Sequence, residues 1–457
     1  MKKILTKVEA NSVWNGWKQM QVYLEKGLII FERSEGGYYY DQKGKKYIDA
    51  TSNLLSSNLG HNHPRIIQQV AKQLNQIDSC TLIYSTSKIS IEYTHKLLSQ
   101  IQGSFRHLFF TNSGSEATDT GIKMAKQYYF NKGQPQKNKI ISLKGAYHGS
   151  TIAATAASGN EYDKRALGEE FSTFKQVRAP NNSNKPLNMT DEAWVDECIR
   201  EMEDKIKSEQ PETIAALLVE PVQLSNGVVV FADRYFQKLR SICDKYNILF
   251  MVDEVATGFG RTGTLFAYEE WGVQPDIVLM AKSMTNGLIP MGGVLVTGEI
   301  YDNFCGELNS TKEFSHGYTS SGHPLACAAG LATLECIVQE SILNQVKEHE
   351  NQLFQSLKVL ESSPLVESVQ GKGYMLGVNF NPNLYTDDEF EWELGGVIEM
   401  LLKKKGLIPY YEGEGKTIIA PPLNSTINQL MEIVEKIEKA CKLVEQSLKL
   451  KEKSRRG

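Results

Sequence analysis

The sequence predicts an α/β fold built around a mostly parallel sheet. Between about residues 61 and 330, apolar runs of strand length alternate with stretches of helical periodicity, which is the βα pattern of such a sheet. Three of these runs, IAALLVE at 214–220, NILFMVDE at 247–254 and DIVLMAK at 276–282, are continuously apolar until they end. Continuous apolar runs are typical of strands that are buried on both faces.

The pattern divides the chain into three segments. Residues 1–60 contain turn signals at Gly36-Gly37 and Lys43-Gly44, followed by aromatic or β-branched residues that suit a hairpin. Residues 61–330 carry the βα alternation, and residues 331–457 are rich in helical periodicity. We therefore expect a large domain at 61–330 and a smaller α+β domain formed by the N-terminal and C-terminal segments.

Composition restricts the class of protein. The 457 residues are 41% hydrophobic and 23% charged, with a net charge of −4 and with acidic and basic residues interspersed. This favours a globular protein of two or three lobes and argues against a nucleic-acid or membrane-surface partner. The N-terminus lacks the long apolar run of a signal peptide, and no run is long enough to span a bilayer. A cytoplasmic location is expected.

The cysteines predict neither a disulfide framework nor a metal site. Their number is odd and no two of them have CxxC spacing. We expect buried, reduced thiols. The seven are Cys80, Cys198, Cys243, Cys305, Cys327, Cys336 and Cys441.

Each of the three apolar runs ends at an ionisable residue. These residues are Glu220, Asp253 and Lys282. Ligands of open parallel sheets bind at the carboxyl ends of the strands, so the three side chains are expected in one polar site. The alternative is that each residue is only the first solvated position after its strand.

The segment TNSGSEATDTGIKMAKQYYF at 111–130 follows an apolar strand and has the apolar spacing of a helix that begins near Ser113. The free N–H groups and positive dipole end of its first turn suit a phosphate, and Gly114 allows close approach to the backbone. Ser113 and Glu116 also fit a capping box, which is a purely structural role. The two interpretations are compatible.

Two further turns carry side chains that could contact a ligand. In KGAYHGST at 144–151, Tyr147 lies on a tight turn from which its ring could stack on a planar cofactor, although many turn tyrosines are structural. In HGYTSSGHPLACAAG at 316–330, Thr319 and Ser320 precede a helix rich in small residues. Their hydroxyls suit either a phosphate or an ordinary helix cap.

Asp253 and Lys282 have unusual surroundings. Asp253 leaves an apolar strand and precedes a glycine-rich stretch that contains Arg261. A carboxylate there needs a cationic partner, which is either a protonated pyridine nitrogen or Arg261. Lys282 has no acid within five residues. Burial would lower its pKa and make its amine nucleophilic, whereas the alternative is a lysine whose charged end reaches solvent.

Together, these motifs resemble the class III (ω-amino) aminotransferases, pyridoxal-phosphate (PLP) enzymes of fold type I. The resemblance covers about residues 36–423. The matching motifs, in chain order, are GYYYDQKGKKYID at 37–49, LGHNHP at 59–64, SGSEA at 113–117, YHG at 147–149, DEVATGFGRTG at 253–263, AKSMTNGLIPMGG at 281–293, HGYTSSGHP at 316–324 and APPL at 420–423. The resemblance implies a mostly parallel seven-stranded central sheet flanked by helices, with residues 61–330 as the PLP-binding domain.

The resemblance also implies roles for individual residues. Lys282 would form a Schiff base with PLP, and Asp253 would keep the pyridine nitrogen protonated. Val255 would press on one face of the ring while Tyr147 stacks on the other. Glu220 would lie near the cofactor and position polar groups of the substrate.

The phosphate of PLP is expected at the helix start. Gly114 and Ser115 would bind it there, and Thr319 would reach the phosphate of the neighbouring subunit. This last role implies a homodimer.

The sequence departs from the family in the substrate region. Many members have an arginine shortly before APPL that binds a substrate carboxylate, whereas this chain has Tyr410 or Tyr411 nearest that place. Arg33 and Arg261 are candidate replacements. Leu55, where several relatives carry an aromatic residue, and Tyr84 are expected in the substrate wall.

The predicted function is transfer of an amino group between an amine or ω-amino acid and an oxo acid or aldehyde through Lys282. An amine, a polar ω-amine or a larger intermediate suits this chain at least as well as a simple α-amino acid. The alternatives are an aminomutase or decarboxylating enzyme of the same family, or a PLP binder without catalytic activity. An NAD enzyme is disfavoured because no GxGxxG motif follows a strand.

Overall fold

The computed structural model describes residues 12–17, 19–166, 168, 171–181, 184–308, 310–381, 384, 394–413 and 415–456. Its centre is a seven-stranded sheet, whose strands we number along the chain. They are β1 Phe105–Thr111, β2 Lys139–Leu143, β3 Phe174–Val177, β4 Ile214–Val219, β5 Leu249–Asp253, β6 Ile277–Met280 and β7 Gly292–Thr297.

The sheet is mostly parallel. Its strand order is β1-β7-β6-β5-β4-β2-β3, and only β7 runs antiparallel to its neighbours. Strands β4, β5 and β6 are adjacent and buried along their whole length, which agrees with their continuous apolar sequence. The predicted α/β fold with a seven-stranded central sheet is confirmed.

Helices flank the sheet. Helix Gly114–Asn131 packs on β6 and β7. The α-helices are Met20–Lys26, Pro64–Leu74, Lys88–Leu98, Gly114–Asn131, Ile152–Ala157, Glu161–Lys164, Asp191–Ser208, Asp233–Tyr246, Gly298–Asp302, Pro324–Gln339, Ile342–Lys358, Leu394–Lys404 and Ile427–Arg456. Short 3₁₀ turns are Pro211–Thr213, Ala267–Glu270, Lys282–Thr285 and Val359–Ser362.

One of the smaller sheets joins the two ends of the chain. Strand Leu407–Ile408 pairs in parallel with Lys46–Asp49, in the same sheet as Phe31–Glu35 and Tyr38–Asp41. A second four-stranded sheet contains Val366–Lys372, Met375–Phe380, Tyr410–Gly413 and Lys416–Ile419, and a two-stranded one pairs Val222–Gln223 with Val229–Val230. The C-terminal segment thus contains more strand than its helical periodicity indicates. The division at 1–60, 61–330 and 331–457 stays a prediction.

Arg261 ties the glycine-rich loop after β5 to both ends of the chain. Its side chain is fully buried. Nη1 donates to the carbonyl oxygens of Tyr374 at 3.1 Å and Pro421 at 2.6 Å. Nη2 donates to Ser52 Oγ at 3.1 Å and to Asn58 Oδ1. Burial lowers the pKa of the guanidinium to about 9. Because these donors are already used, Arg261 cannot act as a substrate clamp.

We expect Arg261→Lys to destabilise the protein by about 2–4 kcal/mol, because buried acceptors left without a donor cost about 1–3 kcal/mol each. A lysine is a point charge and cannot span the acceptors that the planar guanidinium joins. Denaturant unfolding followed by fluorescence measures the change. Arg33→Lys is the matched control, since the Arg33 side chain is 58% exposed. Equal midpoints for the two variants would contradict this role of Arg261.

Candidate active site

One cavity lies at the carboxyl ends of β4, β5 and β6. Glu220 directly follows β4, Asp253 is the last residue of β5, and Lys282 lies two residues after β6. All three side chains line the same cavity of about 330 Å³. The structure therefore brings together the three ionisable residues that the sequence placed at strand ends, as expected for a ligand site of an open parallel sheet.

Lys282 begins a 3₁₀ turn and has a left-handed backbone, with φ of +44°. Burial lowers the pKa of its amine, while the charges of Asp253, Glu220 and Glu412 oppose that shift. No described acidic side chain forms an ion pair with it. A lysine held in this way is more often unprotonated and therefore more nucleophilic. The alternative of a lysine reaching to bulk solvent does not fit this position.

Asp253 is held by two donors. Its Oδ2 lies 2.8 Å from Nδ1 of His148, and its Oδ1 accepts the backbone N–H of Val255 at 3.0 Å. Both Asp253 and His148 are buried. The alternative ion pair with Arg261 is wrong, because the guanidinium bonds to other groups. The carboxylate is thus fixed in orientation at the wall of the cavity.

The helix that follows β1 begins as predicted. Ser113 is the N-cap of helix Gly114–Asn131, and its Oγ accepts the N–H of Glu116 at 3.2 Å. The Glu116 carboxylate accepts the N–H of Asn112 at 2.6 Å, one residue before the position that a capping box uses. Gly114 and Ser115 line the cavity. The free N–H groups of this first turn provide an anion site.

Position 114 requires glycine because the Val255 side chain lies too close to leave room for a Cβ atom there. A Cβ added at Gly114 would lie 2.9 Å from Cγ1 of Val255, which also lines the cavity. Real Cβ atoms essentially never come so close to another heavy atom. The absence of a side chain keeps the space between the helix start and Val255 open.

We expect Gly114→Ala to weaken PLP binding by about tenfold or more, because the added methyl group displaces Val255 or narrows the phosphate site, at a typical overpacking cost of about 1–3 kcal/mol. Titration of the PLP-free protein by cofactor absorbance measures the dissociation constant. Gly37→Ala is the matched control, since its Cβ would meet only Pro422 at 3.8 Å. An unchanged constant in Gly114→Ala would contradict the assignment.

Tyr147 and Glu220 are linked. The backbone N–H of Tyr147 donates to Glu220 Oε1 at 3.0 Å, and the Tyr147 hydroxyl lies 2.8 Å from Ser150 Oγ. Trp17 contacts the edge of the Tyr147 ring, with centroids 5.9 Å apart. Burial raises the pKa of Glu220 to about 7. Glu220 thus fixes the turn that carries Tyr147 and presents a carboxyl group to the cavity.

The residues present fit PLP. The helix start at Gly114 supplies an anion site, Asp253 supplies a carboxylate for a protonated ring nitrogen, and Lys282 supplies an amine in the same cavity. Val255 and Tyr147 supply apolar and aromatic walls for a flat ring. The individual contacts of these residues with the cofactor stay predictions.

Leu55 does not line the cavity in this chain. Residues 52–55 form a left-handed turn with φ between 50° and 63°, stabilised by the Asp49 carboxylate, which accepts the N–H groups of Thr51 and Asn53. This turn buries Leu55 in a cluster with Leu224. Ser56, the next residue, lines the cavity instead.

Of the other residues predicted to contact the substrate, Tyr147 lines the cavity, whereas Tyr84, Tyr410 and Tyr411 are not among the lining residues. Tyr84 is 86% exposed, and Arg33 is exposed and stacks on Tyr40. Tyr410 and Tyr411 point to opposite sides of their strand. Tyr410 packs against the apolar cluster that contains Leu55 and Leu224, whereas the ring of Tyr411 lies against helix Leu394–Lys404.

Thr319 is exposed and lies outside the cavity of its own chain. The structure thus leaves its hydroxyl available to another molecule. Its expected contact with a neighbouring subunit stays a prediction.

Three residues near the cavity were not identified from the sequence. His148 pairs with Asp253, and its presence in the YHG turn was the available signal. Ser225 lines the cavity from the turn between strands Val222–Gln223 and Val229–Val230. Burial raises the pKa of the Glu412 carboxyl group, while the side chains of Tyr410 and Ser225 oppose that shift. Neither Ser225 nor Glu412 lies in a pattern that marks it.

Comparison with known proteins agrees with this site. Residues 20–441 match the family model described as aminotransferase class-III. Gamma aminobutyrate transaminase 3 of Solanum lycopersicum is 35% identical over 91% of this chain and 80% of its own length.

Solved structures are similar over almost the whole chain. An (S)-enantioselective omega-transaminase from Thermomicrobium roseum has a TM-score of 0.91 at 34% identity and covers 96% of this chain and 98% of its own. An omega transaminase from Pseudomonas jessenii in complex with PMP has a TM-score of 0.92 at 30% identity, over 97% and 99%. The chain therefore belongs to the class-III aminotransferases, the PLP-dependent family that its motifs resemble.

Proposed function

We propose that this chain is an ω-transaminase that moves an amino group from an amine or ω-amino acid to an oxo acid or aldehyde. The observation that carries the proposal is the position of Lys282. Its amine lies in the same cavity as Asp253 and the helix start at Gly114, with a lowered pKa. The similarity to transaminases along almost the whole chain supports the same reaction.

Bound PLP supplies an aldehyde that receives the amino group and a ring that stabilises negative charge on the donor carbon. Lys282 would be the residue that holds the cofactor. When its amine is free, it would take the proton from the carbon that carries the donor nitrogen. Asp253, oriented by His148, would keep a proton on the ring nitrogen. Val255 and Tyr147 would exclude water from the two ring faces.

A donor and acceptor screen tests this function. The purified protein with PLP is incubated with amines and ω-amino acids, first alone and then with pyruvate or 2-oxoglutarate. Loss of the cofactor absorption band on amine addition, and its return with the oxo acid, is the expected result. Conversion of a single substrate without an acceptor would indicate an aminomutase or decarboxylase. A band that no amine changes would indicate a PLP binder without this activity.

We further propose a homodimer in which Thr319 contacts the phosphate of the neighbouring subunit. Its support is the exposure of Thr319 outside its own cavity and the resemblance to the family. Light scattering gives the mass in solution. The proposal would be contradicted if the protein is a monomer in solution and Thr319→Ala binds PLP as tightly as the original chain does.

A further inference from the structure

Three side chains of the kinds that bind metal ions lie together away from the catalytic cavity. They are the His63 imidazole, the Cys336 thiol and the Glu340 carboxylate, and one ligand atom from each lies within 4.8 Å of the other two. The described lining of the catalytic cavity includes none of the three. The cluster is therefore separate from the groups assigned to the reaction.

Two packed helices place these side chains. His63 is the N-cap of helix Pro64–Leu74, but its side chain makes no hydrogen bond that caps this described helix. Cys336 lies in the last turn of helix Pro324–Gln339, and Glu340 is the C-cap of that helix. Positions four apart share a helix face, and the two helices pack against each other. The His63 ring is thus directed to the neighbouring helix rather than to its own.

The separations are close to those around a tetrahedral zinc ion. His63 Nε2 lies 3.4 Å from Glu340 Oε1, and His63 Nδ1 lies 3.9 Å from Cys336 Sγ. Zinc bonds of about 2.0–2.3 Å place neighbouring ligands of a tetrahedron about 3.3–3.6 Å apart. One ring nitrogen binds the ion at a time. The last torsion of a histidine side chain is soft, so the ring can turn one nitrogen toward the space between Cys336 and Glu340.

Glu340 is held only loosely by its cationic neighbours. Arg65 Nη1 lies 3.7 Å from Glu340 Oε1, while Arg65 Nη2 donates to Gln339 Oε1 at 2.6 Å. The contacts of Glu340 with His63 and with Arg65 are both longer than a charge-assisted hydrogen bond of about 2.7–2.9 Å. The carboxylate thus keeps the capacity to bind a closer cation.

The thiol determines which kind of ion suits the cluster. Cys336 is fully buried, and burial, together with the Glu340 charge, raises the pKa of the thiol to about 11. A coordinating metal ion removes the proton from such a thiol. The thiolate and the carboxylate then balance the two charges of a divalent ion. The His63 and Glu340 side chains are 10% and 33% exposed, so an ion can enter from their side.

We propose that His63, Cys336 and Glu340 bind one zinc ion, with a water molecule as the fourth ligand. This donor set suits Zn²⁺, whereas Mg²⁺ and Ca²⁺ prefer oxygen ligands. The ion joins the start of one helix to the end of another, between residues 273 positions apart. Because the ligands come from distant segments, the spacing of the cysteines does not reveal the site. The proposal does not depend on the proposed transaminase function.

The competing interpretation is purely structural. Cys336 is then an ordinary buried thiol, and His63 and Arg65 are positive groups at a helix C-terminus, where positive charge is favourable. In that case zinc binds no more tightly than at any surface histidine, and the thiol has no part in binding. A variant at Cys336 therefore separates the two interpretations.

Equilibrium dialysis of the PLP-loaded protein against Zn²⁺, after removal of free PLP, measures the binding. We expect one ion per chain with a dissociation constant of about 1 μM or lower, weaker than four-ligand zinc in zinc-finger peptides. Cys336→Ser should weaken binding by about 100-fold or more, since loss even of outer-shell partners costs about 10–100-fold. Cys305→Ser, at an exposed cysteine, is the matched control and should bind as the original chain does.

His63→Asn is a second variant, because asparagine is a favourable N-cap residue and removes the imidazole without weakening the helix start. It should lose zinc as Cys336→Ser does, with an unchanged far-ultraviolet circular dichroism spectrum. Co²⁺ gives an independent readout. Four-coordinate Co²⁺ has intense visible bands at longer wavelength than the cofactor absorption, and these should appear in the original chain and be absent from both variants.

The proposal is overturned if the original chain takes up no zinc at micromolar concentration. It is also overturned if Cys336→Ser or folded His63→Asn retains the ion with unchanged affinity. Mg²⁺ in excess should not displace the zinc, and displacement would contradict a site that contains a thiolate. Because the cluster lies outside the catalytic cavity, failure to bind zinc leaves the proposed transamination intact, and a protein without transaminase activity can still be tested for zinc.

Discussion

Replacing Lys282 with alanine should lower kcat by at least about 10⁴-fold, since loss of the nucleophile in a covalent catalyst reduces the rate by about 10⁶-fold. The physical reason is that one amine performs two tasks, attachment of the cofactor and proton transfer at the donor carbon. Both require a side chain that is held in the cavity with a lowered pKa. Single-turnover kinetics with a saturating amine donor measures the loss.

Two measurements make the Lys282 result specific. Borohydride treatment followed by peptide mass spectrometry should fix cofactor to Lys282 in the original chain and to no lysine in the variant. Lys88→Ala, whose side chain is 90% exposed, should behave as the original chain in both assays. If Lys282→Ala retained more than about a tenth of the rate, the assignment of the reactive lysine would be wrong.

Replacing Asp253 with asparagine should lower kcat by about 10²-fold or more, by comparison with the loss of one preorganised electrostatic group at other active sites. An amide has nearly the shape of the carboxylate but carries no charge to keep the ring nitrogen protonated. It also weakens the contact with His148, whose Nδ1 lies 2.8 Å from the carboxylate.

The rate of the half-reaction with amine alone isolates this effect from acceptor binding. Asp204→Asn, with a side chain that is 78% exposed, is the matched control. The cofactor content of each variant, read from its absorbance, separates slower chemistry from weaker binding. A loss of less than about threefold in fully loaded Asp253→Asn would exclude the proposed role of this carboxylate.

Local sequence predicted the centre of the site because strand ends and a helix start determine it. Continuous apolar runs located the strands that carry Glu220, Asp253 and Lys282 within a residue or two. The apolar spacing after Ser113 located the beginning of the helix. In each case the spacing of apolar residues along the chain locates a strand end or a helix start. A single sequence is therefore sufficient to predict these positions.

The substrate wall could not be predicted in the same way, because it depends on contacts between distant segments. Four successive left-handed residues at 52–55 turn Leu55 into the core, and such a run is unfavourable for non-glycine residues unless tertiary contacts hold it. Tyr410 and Tyr411 are placed by the pairing of short strands late in the chain. The partner of Asp253 was missed because His148 lies far from it in sequence.

The parallel pairing of Leu407–Ile408 with Lys46–Asp49 has a consequence for synthesis of the protein. It joins residues that are 359 positions apart, Leu407 and Ile48, so the intervening chain must emerge before the contact forms. Completion of this small sheet is therefore a late event, which follows synthesis of nearly the whole polypeptide.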